Sequence, residues 1–372
     1  GKKGRRMRQE KKRVFSWLLM LAMVFSFVLP GNQLNVQAED TLTVNADGYY
    51  ELGSADDMLA FAQKVNAGEK ELNAVLTNDI DMTGKTWTPI IEYAGTFDGQ
   101  NHKIDNLTFE STDKNQGIFG TNTGTIENIA DITGTYIGNH TNIGGLTAYN
   151  KGVVSNCHSS VEITYNNVGG YVGGLVAFNT TNNALVEKCS FDGTITIPQE
   201  NNASQLYIGG IVGRQWTGKP YIIGCVNRGT IINENSKWMY IGGIAGYASD
   251  GNIWFSYNEG TLKAASTETY ISGIAYGAKP YNCYSVGTLP GDKCYPIAPS
   301  SGTNNYYLSD AEEQGARTDE EFKKNSMVST LNALTTSMKS LVPADCMFEQ
   351  SNVYPALVWE RKGIKVTPVA VK

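Results

Sequence analysis

Apolar residues recur along this chain in short runs broken by glycine pairs, and the same wording returns at nearly even spacing. The clearest run is Tyr207-Ile208-Gly209-Gly210-Ile211-Val212-Gly213. Upstream stand Tyr171-Val172-Gly173-Gly174-Leu175, Ile143-Gly144-Gly145-Leu146 and a weak first copy, Gly117-Ile118-Phe119-Gly120. Downstream stand Tyr240-Ile241-Gly242-Gly243-Ile244-Ala245-Gly246 and Tyr270-Ile271-Ser272-Gly273-Ile274. Counted on the aliphatic residue that follows (118, 146, 175, 211, 244, 274), the intervals are 28, 29, 36, 33 and 30 residues. A period of this size marks a repeat architecture.

Each period holds two further strophes in fixed order. One is apolar with Cys or Asn: Val154-Ser155-Asn156-Cys157, Val186-Glu187-Lys188-Cys189, Ile223-Gly224-Cys225, Asn282-Cys283-Tyr284. The other is Gly-Thr with β-branched or apolar residues, as at Gly193-Thr194-Ile195, Gly229-Thr230-Ile231 and Gly260-Thr261-Leu262. Three β-prone strophes per period predict three strands per coil of an all-β solenoid, a parallel β-helix with about 30 residues per coil. Helical repeats would need a stripe of long side chains at i, i+3, i+4, and each central glycine would cost a helix about 1 kcal/mol.

Stacked parallel coils lie about 4.8 Å apart, so each recurring position becomes a column. Leu146, Leu175, Ile211, Ile244 and Ile274 predict one interior aliphatic column, and positions 143, 172, 208, 241 and 271 a second. Neighbours in a strand point to opposite faces, which places Tyr171, Tyr207, Tyr240 and Tyr270 outside. Two readings of those phenols stand side by side: a ladder that stiffens the sheet, or, with Trp238, a platform for a glycan or protein partner. Asn122, Asn150, Asn179 and Gln215 predict an amide ladder of the kind seen in cross-β stacks. Its replacement by Ala248 and Ala278 predicts a looser turn in the later coils. Cys157, Cys189, Cys225 and Cys283 share one repeat position, with Ser256 in the remaining coil. Buried free thiols are expected, because in-register strands hold the Cβ vectors parallel and suit the disulfide dihedral badly.

Both ends of such a stack need covering, since they expose an apolar cross-section and unpaired edges. Tyr49 to Gly68 predicts a helix, with Ser54 as N-cap, Asp56 and Asp57 in the first turn and Met58, Leu59, Phe61, Ala62 and Val65 as the apolar stripe. From Ser309 the composition turns to Asp, Glu, Lys and Ala, with Thr318 and Glu321 spaced as a capping box. Tyr354 to Trp359 predicts a closing strand. The expected organisation is a signal peptide at 1–38, an N-terminal cap with helix at 39–72, β-helix repeats at 73–308, a C-terminal α/β cap at 309–362, and at 363–372 a tail or the start of a further domain.

The signal peptide rests on eight basic residues among the first 13, an apolar run from Val14 to Leu29, and small residues before Glu39. Its removal takes 30 basic and 36 acidic residues to 22 and 35, a net charge of about −13. Nucleic acid is a poor partner for such a chain. No second run long enough to span a membrane follows. Secretion, with attachment to a cell surface through sequence beyond Lys372, is the expected localisation.

Chemistry-bearing motifs are few. No Gly-x-Ser-x-Gly or phosphate-binding glycine loop occurs, and His102, His140 and His158 stand in no recognisable catalytic pattern. Asp79, Asp81, Asp98 and Asp105 lie in the first coils, in turn-forming contexts. No CxxC pair with nearby His suggests a metal site. The expectation is a module without catalytic residues, cofactor or metal. The alternatives are a divergent polysaccharide lyase or glycoside hydrolase on a β-helix, and a purely structural spacer.

The segments Leu72 to Met82 (LNAVLTNDIDM), Trp87 to Ile90 (WTPI) and Tyr93 to Leu107 (YAGTFDGQNHKIDNL), the serial IGG strophes and the final YPALVW at 354–359 together resemble bacterial secreted proteins with GLUG repeats. The resemblance covers roughly residues 49 to 360. It implies a right-handed parallel β-helix in adhesin-like surface proteins of bacteria, often with further C-terminal domains; the outward aromatic face adds the expectation of a host or bacterial surface glycan or protein as partner. Such repeats also occur beside the zinc-peptidase parts of immunoglobulin-A protease-like proteins. This chain has no His-Glu-x-x-His, so the resemblance brings no peptidase activity with it.

Overall fold

The computed structural model describes residues 42–111, 114–138, 141–166, 169–200, 205–249, 252–290, 294–300 and 302–362. The expected signal peptide, the tail from 363 and His140 lie outside the described residues. Among the described residues the chain is all-β apart from short helices, and almost all strands pair in parallel. Two seven-stranded sheets and one 20-stranded sheet take up successive segments of each repeat. Registers run straight through the stack: Tyr171 pairs with Tyr207, Tyr207 with Tyr240 and Tyr240 with Tyr270, each one repeat apart.

Each glycine strophe is a corner and not one strand. Leu206–Gly209 belongs to the first seven-stranded sheet and Val212–Gln215 to the second, with Gly210-Ile211 turning between them. Coils approach closely at this corner. A Cβ on Gly145 would lie 2.0 Å from the carbonyl oxygen of Gly174, one on Gly174 2.1 Å from that of Gly210, and one on Gly210 2.3 Å from that of Gly243. The glycine is required because the neighbour is backbone and cannot give.

The predicted columns form. Leu146, Leu175, Ile211, Ile244 and Ile274 are fully buried, as are Ile143, Val172, Ile208 and Ile241, in one continuous core. The amide ladder runs from Asn122 Nδ2 to Asn150 Oδ1, Asn150 Nδ2 to Asn179 Oδ1 and Asn179 Nδ2 to Gln215 Oε1, each 2.9 Å. Where alanines replace it, the pairing slips between Ala245–Tyr247 and Ala275–Tyr276. The column cysteines are buried free thiols, donating weakly to carbonyls such as that of Ser155. Burial pushes the Cys157, Cys225 and Cys283 thiols up, so they behave as small apolar groups.

The residue before that cysteine position carries an unforeseen regularity. Asn128, Asn156, Lys188, Gly224, Phe255, Asn282 and Asn304 all take positive φ, between 49° and 62°. Asn and Gly are the residues that tolerate this left-handed corner, which accounts for the Asn-Cys wording of the strophe.

The N-terminal helix α1 (Ala55–Asn66) forms as expected, with the Asp57 amide donating to the Ser54 hydroxyl. Phe61 packs its ring among Tyr50, Tyr93 and Phe97 of the first coils. At the other end, α2 (Asp319–Phe322) carries the Thr318/Glu321 capping box and is followed by α3 (Asn325–Leu331). This C-terminal segment begins on the last strands, where Ala316–Arg317 pair with Tyr307-Leu308. It straps the flank of the stack, where Phe322, Met327, Leu331, Phe348 and Trp359 pack on Ile223, Val226, Phe255, Tyr257 and Tyr284 in a second core. The strand expected at 354–359 is limited to Ala356–Leu357 and turns into α4 (Val358–Lys362). Glu360 accepts from the Leu357 amide at 2.7 Å, which starts the helical turn.

Polar groups pin the strap to the left-handed corners. Trp359 Nε1 donates to the Gly224 carbonyl at 2.9 Å, and Asn282 Nδ2 to that of Ala333 at 2.8 Å. Arg228 pairs with Glu360 and lies 3.5 Å from Glu259 and 3.7 Å from Asp192. The Trp359 ring stacks on His158, centroids 5.2 Å apart, and burial lowers the His158 pKa to about 4.

Two outcomes follow from this packing. Gly210→Ala should lower stability by about 3 kcal/mol in urea denaturation, since the new methyl meets backbone on the next coil; a loss under about 1 kcal/mol contradicts the corner. His158 is neutral when folded, so the unfolded chain binds more protons between pH 6.5 and about 4. Stability from this residue is therefore lost as pH falls through that window, by about 2 kcal/mol. The stability advantage of wild type over His158→Phe should narrow by that amount between pH 7 and 4.5, and a constant gap refutes the assignment.

Candidate functional site

The outward faces of the two seven-stranded sheets meet in an aromatic surface. Tyr171, Tyr207, Tyr240 and Tyr270 stand one above another because their positions pair in register. Their ring centroids are 5.7, 5.1 and 5.2 Å apart, and Tyr207 and Tyr240 are parallel within 3°. The ladder is thus formed: Tyr240 is stacked between Tyr207 and Tyr270, while Tyr207 stacks on Tyr240 and meets Tyr171 at a tilt of 58°. Tyr270, 39 % exposed, is its last described rung.

A second aromatic column, missed in the sequence, runs beside it on the adjoining sheet. Tyr149, Phe178, Arg214 and Tyr247 pair in register, and Tyr276 follows after the slip. Its rings reach across the corner to the first ladder: Tyr171 to Phe178 at 4.9 Å, Tyr240 to Tyr276 at 4.8 Å and Tyr270 to Tyr276 at 5.1 Å. The signal was present, since each member up to Tyr247 lies three residues past the aliphatic anchor. It was hidden because the glycine strophe reads as one strand, whereas the corner inside it swings this position beside the tyrosines.

At the Tyr270 end the surface opens into a groove of about 630 Å³, lined by Trp238, Tyr240, Thr267, Glu268, Thr269, Tyr270, Cys294 and Tyr295. Trp238 stands edge-on to Tyr240, at 87° and 5.6 Å. The structure therefore gathers Trp238, Tyr240 and Tyr270 at one groove. Tyr171 and Tyr207 lie further up the ladder, around Arg214. Burial pushes the Tyr207, Tyr240 and Tyr276 phenols up, so these hydroxyls are neutral hydrogen-bonding groups at physiological pH.

The first-coil carboxylates are occupied in turns. Asp79 accepts from the Lys103 amide at 3.0 Å and faces His102 at 3.1 Å, and the Lys103 bond is the main cause of its lowered pKa. Asp81 accepts from Asn106 and Thr83, which lower it to about 2. Asp98 accepts from Asn128 and Gln100, and Asp105 from Thr133. A general acid for glycoside cleavage needs a raised carboxyl, and these bonds act in the opposite direction on Asp79 and Asp81. Cys157 and His158 point to opposite sides, the thiol into the core and the imidazole to Trp359.

Residues 168–196 match the GLUG motif. The fold is similar to that of a putative immunoglobulin A1 protease from Bacteroides ovatus, with a TM-score of 0.60 and 19% identity over 85% of this chain and 94% of that one. A solved IgA1 protease matches with a TM-score of 0.49 and 18% identity over 69% of this chain, and this chain spans 21% of that one. No curated protein matches the sequence.

The unequal surroundings of the rungs give a measurable contrast. Tyr240→Ala removes a ring stacked on both sides and should cost about 2 kcal/mol in urea denaturation, while Tyr270→Ala should cost under about 1 kcal/mol. Equal costs contradict the ladder.

Proposed function

We propose that this chain is a non-catalytic, extracellular module built as a right-handed parallel β-helix of about 30 residues per coil, which binds a surface glycan in the groove at the end of its tyrosine ladder. The hand follows from the strong preference of parallel crossovers for the right-handed turn. The observation that carries the reading is the last described rung: Tyr270 stacks on Tyr240, and it lines a groove with Trp238, Tyr240 and Tyr295. Flat aromatic faces pack against the apolar faces of sugar rings, and Thr267, Glu268 and Thr269 bring polar groups to the rim.

The GLUG motif and the fold-level likeness support a place outside the cell, and among the described residues no helix is long and apolar enough to cross a membrane. The names of the structural neighbours concern proteases. At this groove the lining offers Cys294 and a single acid, Glu268, without a histidine to serve as base.

Trp238→Ala combined with Tyr270→Ala should abolish glycan-array binding, or weaken it at least tenfold, with the melting temperature nearly unchanged. Undiminished binding by the double variant removes the groove as the site.

A further inference from the structure

The structure assigns to Arg214 the recognition of an acidic glycan, its guanidinium taking the carboxylate of a sugar acid whose neighbouring units lie along the aromatic ladder. This rests on the glycan reading of the groove and deepens it. Arg214 occupies the register position held by Phe178 in the coil before and Tyr247 in the coil after. A cation thus replaces a ring in an aromatic column. Between Asn142 and Tyr276 the strands of these two sheets contain no other Asp, Glu, Lys or Arg among the described residues.

The guanidinium is enclosed by rings and, among the described residues, has no carboxylate paired with it. Arg214 is 9 % exposed, with its guanidinium carbon 3.6 Å from the centroid of Trp216, 4.6 Å from Tyr207, 5.4 Å from Tyr171 and 5.6 Å from Tyr247. Nη1 donates to the Tyr171 hydroxyl at 2.9 Å. Nε is buried with no hydrogen-bond partner, and none of the ion pairs among the described residues includes Arg214. Ring faces attract a cation without satisfying its N–H directions, and a buried charge normally sits with a hydrogen-bonded partner.

The missing partner is an anion with planar oxygens. A carboxylate matches the guanidinium fork, and Trp216, itself 42 % exposed, is the ring a ligand must displace to reach it. Tyr270 lies two coils beyond, about 10 Å along the stack, so one oligosaccharide can stack at the groove and place a carboxylate on Arg214. A neutral glycan would use the rings alone, and an acidic peptide would not use the stacked faces. The observations favour the sugar acid.

The test pairs tetragalacturonate with its methyl ester, and sialyllactose with lactose, in calorimetric titrations of the full chain. Wild type should prefer the acid of at least one pair by about tenfold, as a charge-assisted bond implies, and the preference should shrink at high salt. Arg214→Tyr restores the aromatic column and so keeps the fold, verified by melting; it should bind both members of the pair equally. A preference that survives in Arg214→Tyr overturns the assignment. Wild-type binding without preference overturns it too and leaves the groove standing, whereas no binding of any of the four sugars overturns both.

Discussion

Parallel stacking in register is the constraint on which everything else depends. Each side chain's nearest neighbour is the residue at its own position one coil away, about 4.8 Å distant, so a residue type is selected in columns. Asn150 is useful because Asn122 and Asn179 are its neighbours: its amide gives one bond to Asn179 and others to the Gly152 and Leu185 carbonyls. The same logic fills the corner with glycine, the left-handed position with asparagine, and the interior with aliphatic residues and thiols. Departures from a column are therefore informative, and Arg214 among rings is the sharpest of them.

Besides the two adjoining aromatic columns of the seven-stranded sheets, a tyrosine stack stands on the flank of the large sheet, and it is treated differently. Tyr257 and Tyr284 stack at 4.6 Å and 10° and are covered by the molecule's own C-terminal strap, with the Tyr257 hydroxyl bonded to Glu360 and that of Tyr284 to the Pro355 carbonyl. Burial raises both phenols well above their ordinary value. The ladder of Tyr171 to Tyr270 remains half-buried to exposed among the described residues. An aromatic ladder is apolar on its ring faces and polar at its hydroxyl tips, so what distinguishes the two is what lies on top. The strap also ties several coils together at the left-handed corners, through Gly224 and Asn282.

In the proposed reading, ligand binding on such a scaffold belongs to the interruptions of the columns and not to the columns. An inner rung such as Tyr240 has no free face to offer a ligand, because both sides are stacked. A ladder end offers a face, and a substituted rung offers a charge. Tyr270, with Trp238 beside it at the groove, meets the first condition and Arg214 the second, two coils apart on one surface. The acidic residues of the first coils meet neither, since turn amides and side-chain donors already hold Asp79, Asp81, Asp98 and Asp105.

The repeat period, the interior columns, the amide ladder, the thiol column and the outward tyrosines were legible in the chain alone, because register turns sequence spacing directly into neighbourhood. So were the ends of α1 and α2, where Ser54, Thr318 and Glu321 act within their own turn. The path of the strap was not legible: residues 319–362 share no repeat with the coils, and an apolar stripe such as Phe322, Met327 and Leu331 states that it must be buried without stating against what. Nor was the second aromatic column, since only the corner inside each glycine strophe brings Tyr149, Phe178 and Tyr247 beside the first ladder. The lone arginine of that face reads in the sequence as one more surface cation; its enclosure by Tyr171, Tyr207, Trp216 and Tyr247 draws on residues up to 76 positions apart, and only the folded stack assembles them.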